Sequence, residues 1–207
     1  MSPKLKLFYV VSFLPLFVFC QKINFGIKGG LNLSNDKFEV STLGNPINII
    51  TEIKPSYHFG GLVEFLMTDK KTHFQIEVLY TGNGTSIREN DLSKATDVKL
   101  TQIAIPFLAK FDATEDWSLN TGYYFGHIIS AVEKDRFSRF SDAKNDFQIF
   151  DFGLLMGFEF KVNTKLFFDL RFNYGLPNFN NSTAFEENKT ERVCKNRTVN
   201  YGVVYKF

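Results

Sequence analysis

Large apolar residues alternate with small or charged residues along most of the chain. The clearest run is FDFGLLMGFEF at 150–160, where every second residue from Phe150 to Phe160 is large and apolar. The intervening positions hold Asp151, Gly153, Leu155, Gly157 and Glu159. Because side chains on a β-strand alternate faces with a period of two, this run predicts a strand with one apolar and one small or charged face.

The same alternation recurs along the chain, with turn residues between the segments. Each segment has about ten residues, the length that a tilted strand needs to cross a bilayer. No segment shows the period of an amphipathic helix. The eight predicted strands cover residues 23–33, 56–67, 72–80, 100–111, 117–129, 150–160, 165–176 and 196–207.

The connections between these segments alternate between long and short. The short ones are TDKK, DATED and KVNT, and the others are long and polar. Outer-membrane barrels combine short periplasmic turns, long outer loops and an even number of strands. The fold class predicted is therefore all-β: an eight-stranded antiparallel transmembrane β-barrel with up-and-down meander topology. Its termini and short turns are expected in the periplasm, and its four long loops outside.

Composition supports a chain with an unusual amount of apolar strand surface. The 207 residues include 25 Phe, one Trp and two Cys, and the formal net charge is +2. Either a large core or lipid must cover that much Phe. The nearly balanced charge argues against a nucleic-acid-binding protein, which would show a basic stripe.

The N-terminus predicts export from the cytoplasm. MSPKLK is positively charged and a short apolar run follows it, as in a signal peptide. We expect a signal peptide at 1–20 and a barrel domain at 21–207, in the outer membrane of a Gram-negative bacterium. A retained helix is disfavoured by Pro15 and by the short run, and lipidation of Cys20 by the bulky Phe19 before it. Cleavage would leave only Cys194, so no internal disulfide is expected.

The second face of each strand is expected to line the barrel. Eight strands enclose a space just wide enough for side chains, and buried charges need partners of opposite sign. Glycines on some strands make room for long charged side chains from others. We therefore expect a salt-bridged plug rather than an open pore. The predicted interior charge network consists of Lys28, Glu64, Glu77, Lys110, Asp151, Glu159, Asp169, Arg171 and Lys206.

The aromatic residues of the apolar faces sort into two levels, which predicts two girdles at the lipid interfaces. The outer girdle is expected to contain Tyr57, Phe59, Tyr80, Phe150 and Tyr174. The inner girdle is expected to contain Phe65, Phe74, Phe111, Trp117, Phe160, Tyr205 and Phe207.

The candidates for catalysis are weak. Ser56, His58 and Asp151 could form a Ser-His-acid group on paper, but such groups are recognised by geometry, and a structural network is the favoured interpretation. Asp169 and Arg171, two residues apart on one face, are expected to pair inside the plug, with the lining of a solute path as the alternative. No Cys or His cluster has the spacing of metal ligands. We predict no catalytic residue, cofactor or metal.

Four motifs together resemble one family. FGIKGGLNLSN at 25–35, IPFLAKF at 105–111, FDFGLLMGFEF at 150–160 and LRFNYGLPNF at 170–179 are similar, in this order, to motifs of the outer-membrane β-barrel domain abundant in Bacteroidetes, often called PorT-like or "porin family". The resemblance runs over nearly the whole chain after residue 20. It implies a small barrel in the outer membrane and no defined activity.

Three functions remain open at this point. The first is a non-enzymatic envelope protein, acting as a structural element, in surface interaction, or as a component of an export or envelope assembly. The second is a narrow passive channel, which needs a continuous wet path. The third is a soluble lipocalin-like carrier, with the apolar faces turned inward. Expected partners are outer-membrane lipid, the barrel-assembly machinery through the last strand ending in Phe207, and an envelope protein, but no nucleic acid.

Overall fold

The structure of the protein is a computed structural model, and it describes much of the chain after residue 19. The expected signal peptide lies outside the described residues, except for Cys20. No helix among the described residues is long and apolar enough to cross a membrane. The described ranges are 20–35, 37–42, 45–47, 50–69, 71–88, 96–134, 140–142, 149–176 and 190–207.

The described residues form twelve β-strands, eight of them long and four short. In chain order they are β1 (Cys20–Ser34), β2 (Lys37–Thr42), β3 (Asn45–Ile47), β4 (Ile50–Met67), β5 (Thr72–Arg88), β6 (Thr96–Asp112), β7 (Trp117–Lys134), β8 (Phe140–Asp142), β9 (Phe150–Lys161), β10 (Leu166–Gly175), β11 (Thr190–Lys195) and β12 (Arg197–Lys206).

Eight strands close into a barrel. The sheet runs β6, β5, β4, β1, β12, β10, β9, β7, and the pairing of β6 with β7 closes it. Each pair is antiparallel and joins neighbours along the chain of barrel strands, except that the last strand, β12, returns to β1. The predicted eight-stranded up-and-down barrel is confirmed, and closure leaves none of these eight strands as an open edge through the barrel wall.

The alternation of residues follows the two faces of the barrel wall. In β9, Asp151 is 3% exposed and its neighbour Phe152 is 45% exposed. The apolar face therefore points outward and the polar face inward. A lipocalin-like carrier needs the opposite arrangement, so that hypothesis is wrong.

The outward apolar band has the height of a membrane core. Phe150 and Phe160 stand at its two ends on β9, ten residues apart. That separation is about 34 Å along an antiparallel strand. At a tilt of about 40° it projects to roughly 26 Å, close to the ~25 Å apolar band of outer-membrane barrels.

Four strands are longer than the sequence pattern predicted. β4, β5, β6 and β7 have 17 or 18 residues each, whereas about ten were expected. The extra residues lie at the end of the barrel that carries the long loops. There the outward side chains, such as Lys99 and Ser130, are polar and exposed. On β6 the polarity of the two faces is reversed there, because Val98 and Leu100 are buried on either side of Lys99, and the hydrogen-bonded ladder continues past the apolar band.

The long connections also contain strands that the sequence pattern missed. β11, β2 and β3 form a separate three-stranded antiparallel sheet from the first and last long connections. β8 pairs with the end of β7. These segments were expected to be polar loops, and with three to six residues each they are too short to give a clear period-two signal.

The short turns are held by their own side chains. In the turn between β4 and β5, the Asp69 carboxylate accepts hydrogen bonds from the Thr72 hydroxyl (2.6 Å) and from the Thr72 and Lys71 amides (2.9 and 3.1 Å). The bonds from Thr72 hold the pKa of Asp69 below its usual value. The predicted tight turns at this end of the barrel are therefore locally encoded.

Candidate functional site

The barrel interior near the short turns is crossed by a cluster of four charged side chains: Glu64, Lys110, Glu159 and Lys206, here called the turn-end cluster. Lys110 Nζ lies 2.7 Å from Glu64 Oε2 and 2.7 Å from Glu159 Oε1. Lys206 Nζ contacts the same two oxygens at 2.8 and 3.0 Å. Each carboxylate thus meets both ammonium groups, in a ring that spans β4, β6, β9 and β12.

Two further groups extend this cluster toward the short turns. His73 Nδ1 lies 3.5 Å from Glu64 Oε1, and His73 Nε2 lies 2.8 Å from Asp112 Oδ2. Asn24 Nδ2 donates to Glu64 Oε1 at 3.4 Å. The Glu64 carboxylate therefore has partners on several strands, which ties those strands together through the lumen.

A second cluster lies near the middle of the barrel: Lys28, Glu77, Asp169 and Arg171, here called the central cluster. The Arg171 guanidinium donates to both oxygens of Glu77 at 2.9 and 2.7 Å. Its Nε donates to Asp169 Oδ2 at 2.9 Å. Lys28 bonds Asp169 and lies 3.9 Å from Glu77 Oε2. The bidentate geometry suits a planar guanidinium better than an ammonium.

Both clusters are buried and balanced in formal charge, with two cations and two carboxylates each. Their side chains are 0–8% exposed. An isolated charge in such a place would carry a large desolvation cost, so pairing is a condition for burial. The electrostatics of the two clusters thus favour side chains that hold one another in place across the lumen.

Asp151 differs from the other predicted members of the network. It is 3% exposed, but it forms no ion pair with the described residues. Its Oδ2 accepts hydrogen bonds from the Tyr124 hydroxyl and the Asn196 amide, each at 3.1 Å. Its interior position matches the expectation, but its grouping with the cations is wrong. It stands nearer the long loops than the central cluster, among neutral polar side chains.

A thin apolar layer separates Asp151 from the turn-end cluster. Leu108, Tyr124 and Leu155 contact one another in the lumen, and each is 2% exposed. A cavity of about 20 Å³ lies beside them, and its lining includes Tyr124, Leu155 and Arg171. That volume is enough for about one water molecule.

Neutral polar side chains fill the interior toward the long loops. His58 Nδ1 lies 2.6 Å from Asn32 Oδ1, and Asn32 Nδ2 donates to Thr81 Oγ1 at 2.8 Å. Ser56 donates to the Gly82 carbonyl. Because Ser56, His58 and Asp151 each bond to other groups, the structure does not assemble them into a Ser-His-acid site.

The chain matches the model of a known family. The model of the family described as "Outer membrane protein beta-barrel domain" matches residues 19–181. The chain belongs to this outer membrane β-barrel family. Among curated proteins, no relative matches the chain at a significant level.

Solved structures of outer membrane proteins share the fold of this outer membrane barrel. The outer membrane protein OprG from Pseudomonas aeruginosa is 16% identical, with a TM-score of 0.51 over 89% of this chain and 95% of that one. Neisserial surface protein A (NspA) is 15% identical, with a TM-score of 0.52 over 90% of this chain and 100% of that one. At this identity the likeness establishes the fold alone.

The aromatic residues predicted for the two girdles lie on the outward face, near the two ends of the apolar band. Near the long loops, the Phe59 and Tyr80 rings are 5.2 Å apart, and Phe150 is 71% exposed. Near the short turns, the Trp117 and Phe160 rings are 4.8 Å apart. Of the other residues expected in the girdles, Tyr57, Phe74, Phe111, Tyr205 and Phe207 are exposed, and Phe65 and Tyr174 are half-buried.

Many neutral and apolar residues of the outer membrane barrel's interior were not among the predicted interior residues. Charges and glycines were the sequence signal for the inward face, and among the leucines only Leu155 was placed on it. Continuing the period-two count from Lys110 would have placed Leu108 and Gln102 inside. The buried residues that were missed include Asn32, Gln75, Leu108, Asn120, Tyr124, Asn196 and Asn200.

Proposed function

We propose that this outer membrane barrel is plugged, conducts no solutes and has a non-enzymatic role in the envelope. The observation that carries the proposal is the pair of balanced ion clusters stacked in the lumen, with Arg171 bound to Glu77 at one level and Lys110 bound to Glu64 at the other. Opening a path would require separating buried ion pairs, which costs several kcal/mol for each uncompensated charge.

A plugged barrel acts through what it presents at its ends. The strands β4 to β7 extend past the apolar band, and β2, β3 and β11 add a second sheet from the long connections. Binding sites are commonly built on connections that a rigid scaffold positions. We therefore place the interaction surface at the loop end, in surface contact or as a component of an export or envelope assembly.

The finer placement of the chain follows from the sequence. The four motifs and the short turns support membership in the PorT-like group of Bacteroidetes, with both termini and the short turns in the periplasm. A cleaved signal peptide at 1–20 accounts for export. Phe207, which is 70% exposed at the end of β12, suits recognition of the last strand by the barrel-assembly machinery.

Conductance of the purified barrel in planar lipid bilayers tests the plug. The wild type is expected to insert without discrete current steps. A variant that removes one whole ion pair of the central cluster, Lys28→Ala with Asp169→Ala, serves as the comparison because it enlarges the lumen and leaves Arg171 paired with Glu77. Steady single-channel currents from the folded wild type would contradict the plug and favour a narrow passive channel.

One observation favours that second candidate. Both side-chain amide atoms of Asn120, together with Glu159 Oε2, are buried and have no hydrogen-bond partner in the described part of the chain. Such atoms in folded proteins usually bind ordered water. A connected series of these waters would give the channel its wet path, and the conductance measurement distinguishes it from isolated waters.

A further inference from the structure

A groove of about 600 Å³ lies on the outward face of the barrel, in the half nearer the short turns. Its floor contains two small outward residues, Ala109 on β6 and Thr121 on β7. We call it the Ala109–Thr121 groove. Its walls include Phe65, Met67, Phe74, Ile76, Phe107 and Tyr123.

The register of the strands explains the groove. Ala109 lies directly opposite Thr121, so two small side chains are adjacent in one row. Phe74 lies beyond Ala109 in the same row, and Met156 lies beyond Thr121. Side chains at directly opposite positions are close neighbours on a sheet. A row of large, small, small and large side chains leaves a depression at its centre.

The walls of the groove are held in place by ring contacts. The rings of Phe107 and Tyr123, one row nearer the long loops, stack with centroids 5.4 Å apart. The Thr121 hydroxyl donates to the Leu155 carbonyl at 3.2 Å, so the polar group of the floor is already satisfied. The groove therefore offers a shaped apolar surface with little to attract a polar ligand.

The groove reaches the short-turn end of the barrel beside a lysine. Met67, which lines it, is the last residue of β4, and the turn that follows carries Lys71, which is exposed. Lys71 and Phe74 are three positions apart in the sequence, so their Cα atoms are at most about 11 Å apart. Lys71 forms no ion pair with the described residues. The carboxylate of Asp69 in the same turn is bonded to Thr72.

We propose that the Ala109–Thr121 groove binds one acyl chain of a phospholipid whose phosphate pairs with Lys71. Inside a membrane, an acyl chain gains no hydrophobic free energy when it moves from neighbouring lipids to a protein groove. A specific lipid must therefore be held by close packing and by charge. The groove supplies the packing, and the lysine at the membrane surface supplies the charge. The inference rests on the position of the barrel in the membrane and is independent of whether its interior conducts.

Native mass spectrometry of the detergent-purified, delipidated barrel with added dipalmitoylphosphatidylglycerol tests the inference. The wild type is expected to retain one phospholipid at collision energies that remove the detergent. Ala109→Phe and Thr121→Phe fill the groove, and each is expected to weaken retention about fivefold or more. Val203→Phe adds bulk to the outward face elsewhere, on β12, and is expected to retain the lipid as the wild type does.

The headgroup is tested in the same experiment. Lys71→Gln is expected to weaken retention, whereas Lys165→Gln, in another short turn at the same end, is expected to leave it unchanged. Each variant must first show the folded band on an unboiled gel. Equal retention by the wild type and both groove-filling variants would overturn the inference. So would a wild-type dimer that Ala109→Phe converts to a monomer, because the groove would then be covered by a second copy of the chain.

Discussion

Arg171 and Glu77 join opposite parts of the barrel wall through the lumen. The residues are 94 positions apart in the sequence, on β10 and β5, and they form two parallel hydrogen bonds of 2.9 and 2.7 Å. The same guanidinium also holds Asp169. One side chain thus binds two buried carboxylates, and its loss would leave both with fewer partners.

Removal of Arg171 is expected to destabilise the barrel strongly. Arg171→Met leaves Glu77 and Asp169 with Lys28 as their only cation in the central cluster, and breaking one partner out of a buried pair costs about 3–5 kcal/mol. Arg171→Lys keeps the charge but loses the bidentate geometry, so it should lower the free energy of unfolding less than Arg171→Met does. Urea unfolding in detergent micelles measures the free energy of unfolding of both variants. Equal stability of Arg171→Met and the wild type would show that the pair is not holding the interior.

The turn-end cluster is expected to tolerate single losses better than double ones. Lys110 and Lys206 both contact Glu64 and Glu159, so either ammonium can still serve both carboxylates. Lys110→Met and Lys206→Met should each cost less than the Arg171 change. The loss of unfolding free energy in the double variant should exceed the sum of the losses in the two single variants, with a coupling energy of about 0.5–3 kcal/mol. A strictly additive cycle would contradict the shared-partner arrangement.

The interior glycines are expected to resist substitution where the structure leaves no space. A Cβ on Gly157 would overlap the Leu170 carbonyl oxygen and lie 2.8 Å from Arg171 Cγ. Gly157→Ala should therefore cost about 1–3 kcal/mol. At Gly29, the nearest atom would be 3.8 Å away, so Gly29→Ala should stay within about 0.5 kcal/mol. Thermal gel-shift midpoints of the two variants give the comparison, and similar midpoints would contradict the close packing.

A charge placed on the outward face is expected to be costly only inside the apolar band. Met156 is 62% exposed in the middle of β9, and Phe140 is 73% exposed on β8 beyond the band. Met156→Lys should lose about 2–4 kcal/mol because the lysine enters lipid, whereas Phe140→Lys should be nearly neutral. Refolding yield and stability in phospholipid vesicles test this. Equal tolerance would mean that lipid does not cover Met156.

Period-two alternation was enough to predict the barrel, because lipid and lumen impose opposite demands on neighbouring residues. It placed Phe152 outside and Asp151 inside, and it gave the strand count and order. The strand ends could not be predicted in the same way. Beyond the apolar band the outward face meets water while the inward face stays buried, so Lys99 is polar and exposed, whereas Val98 and Leu100 are buried. The pattern of apolar outward residues therefore ends before the strands do.

Pairing inside the lumen was only partly predictable. Counting along each strand from the short turns puts Glu64, Lys110, Glu159 and Lys206 at similar depths, and the structure brings them together. Depth alone could not separate Asp151 from Lys28 and Arg171. Which carboxylate meets which cation depends on strand tilt and on the space left by residues such as Gly157. Neither can be predicted from the alternation of residues along a single strand.

The most direct test of the central claim, that lipid covers the Phe-rich faces while the charged pairs lie inside, is heat modifiability of the protein in isolated outer membranes. Unboiled and boiled samples are compared on an SDS gel. The account predicts that the protein is found in the outer membrane fraction and that boiling shifts its band, because closed lipid-facing barrels resist cold SDS. A protein recovered in the soluble periplasmic fraction, without a shift on boiling, would contradict the assignment of the two faces.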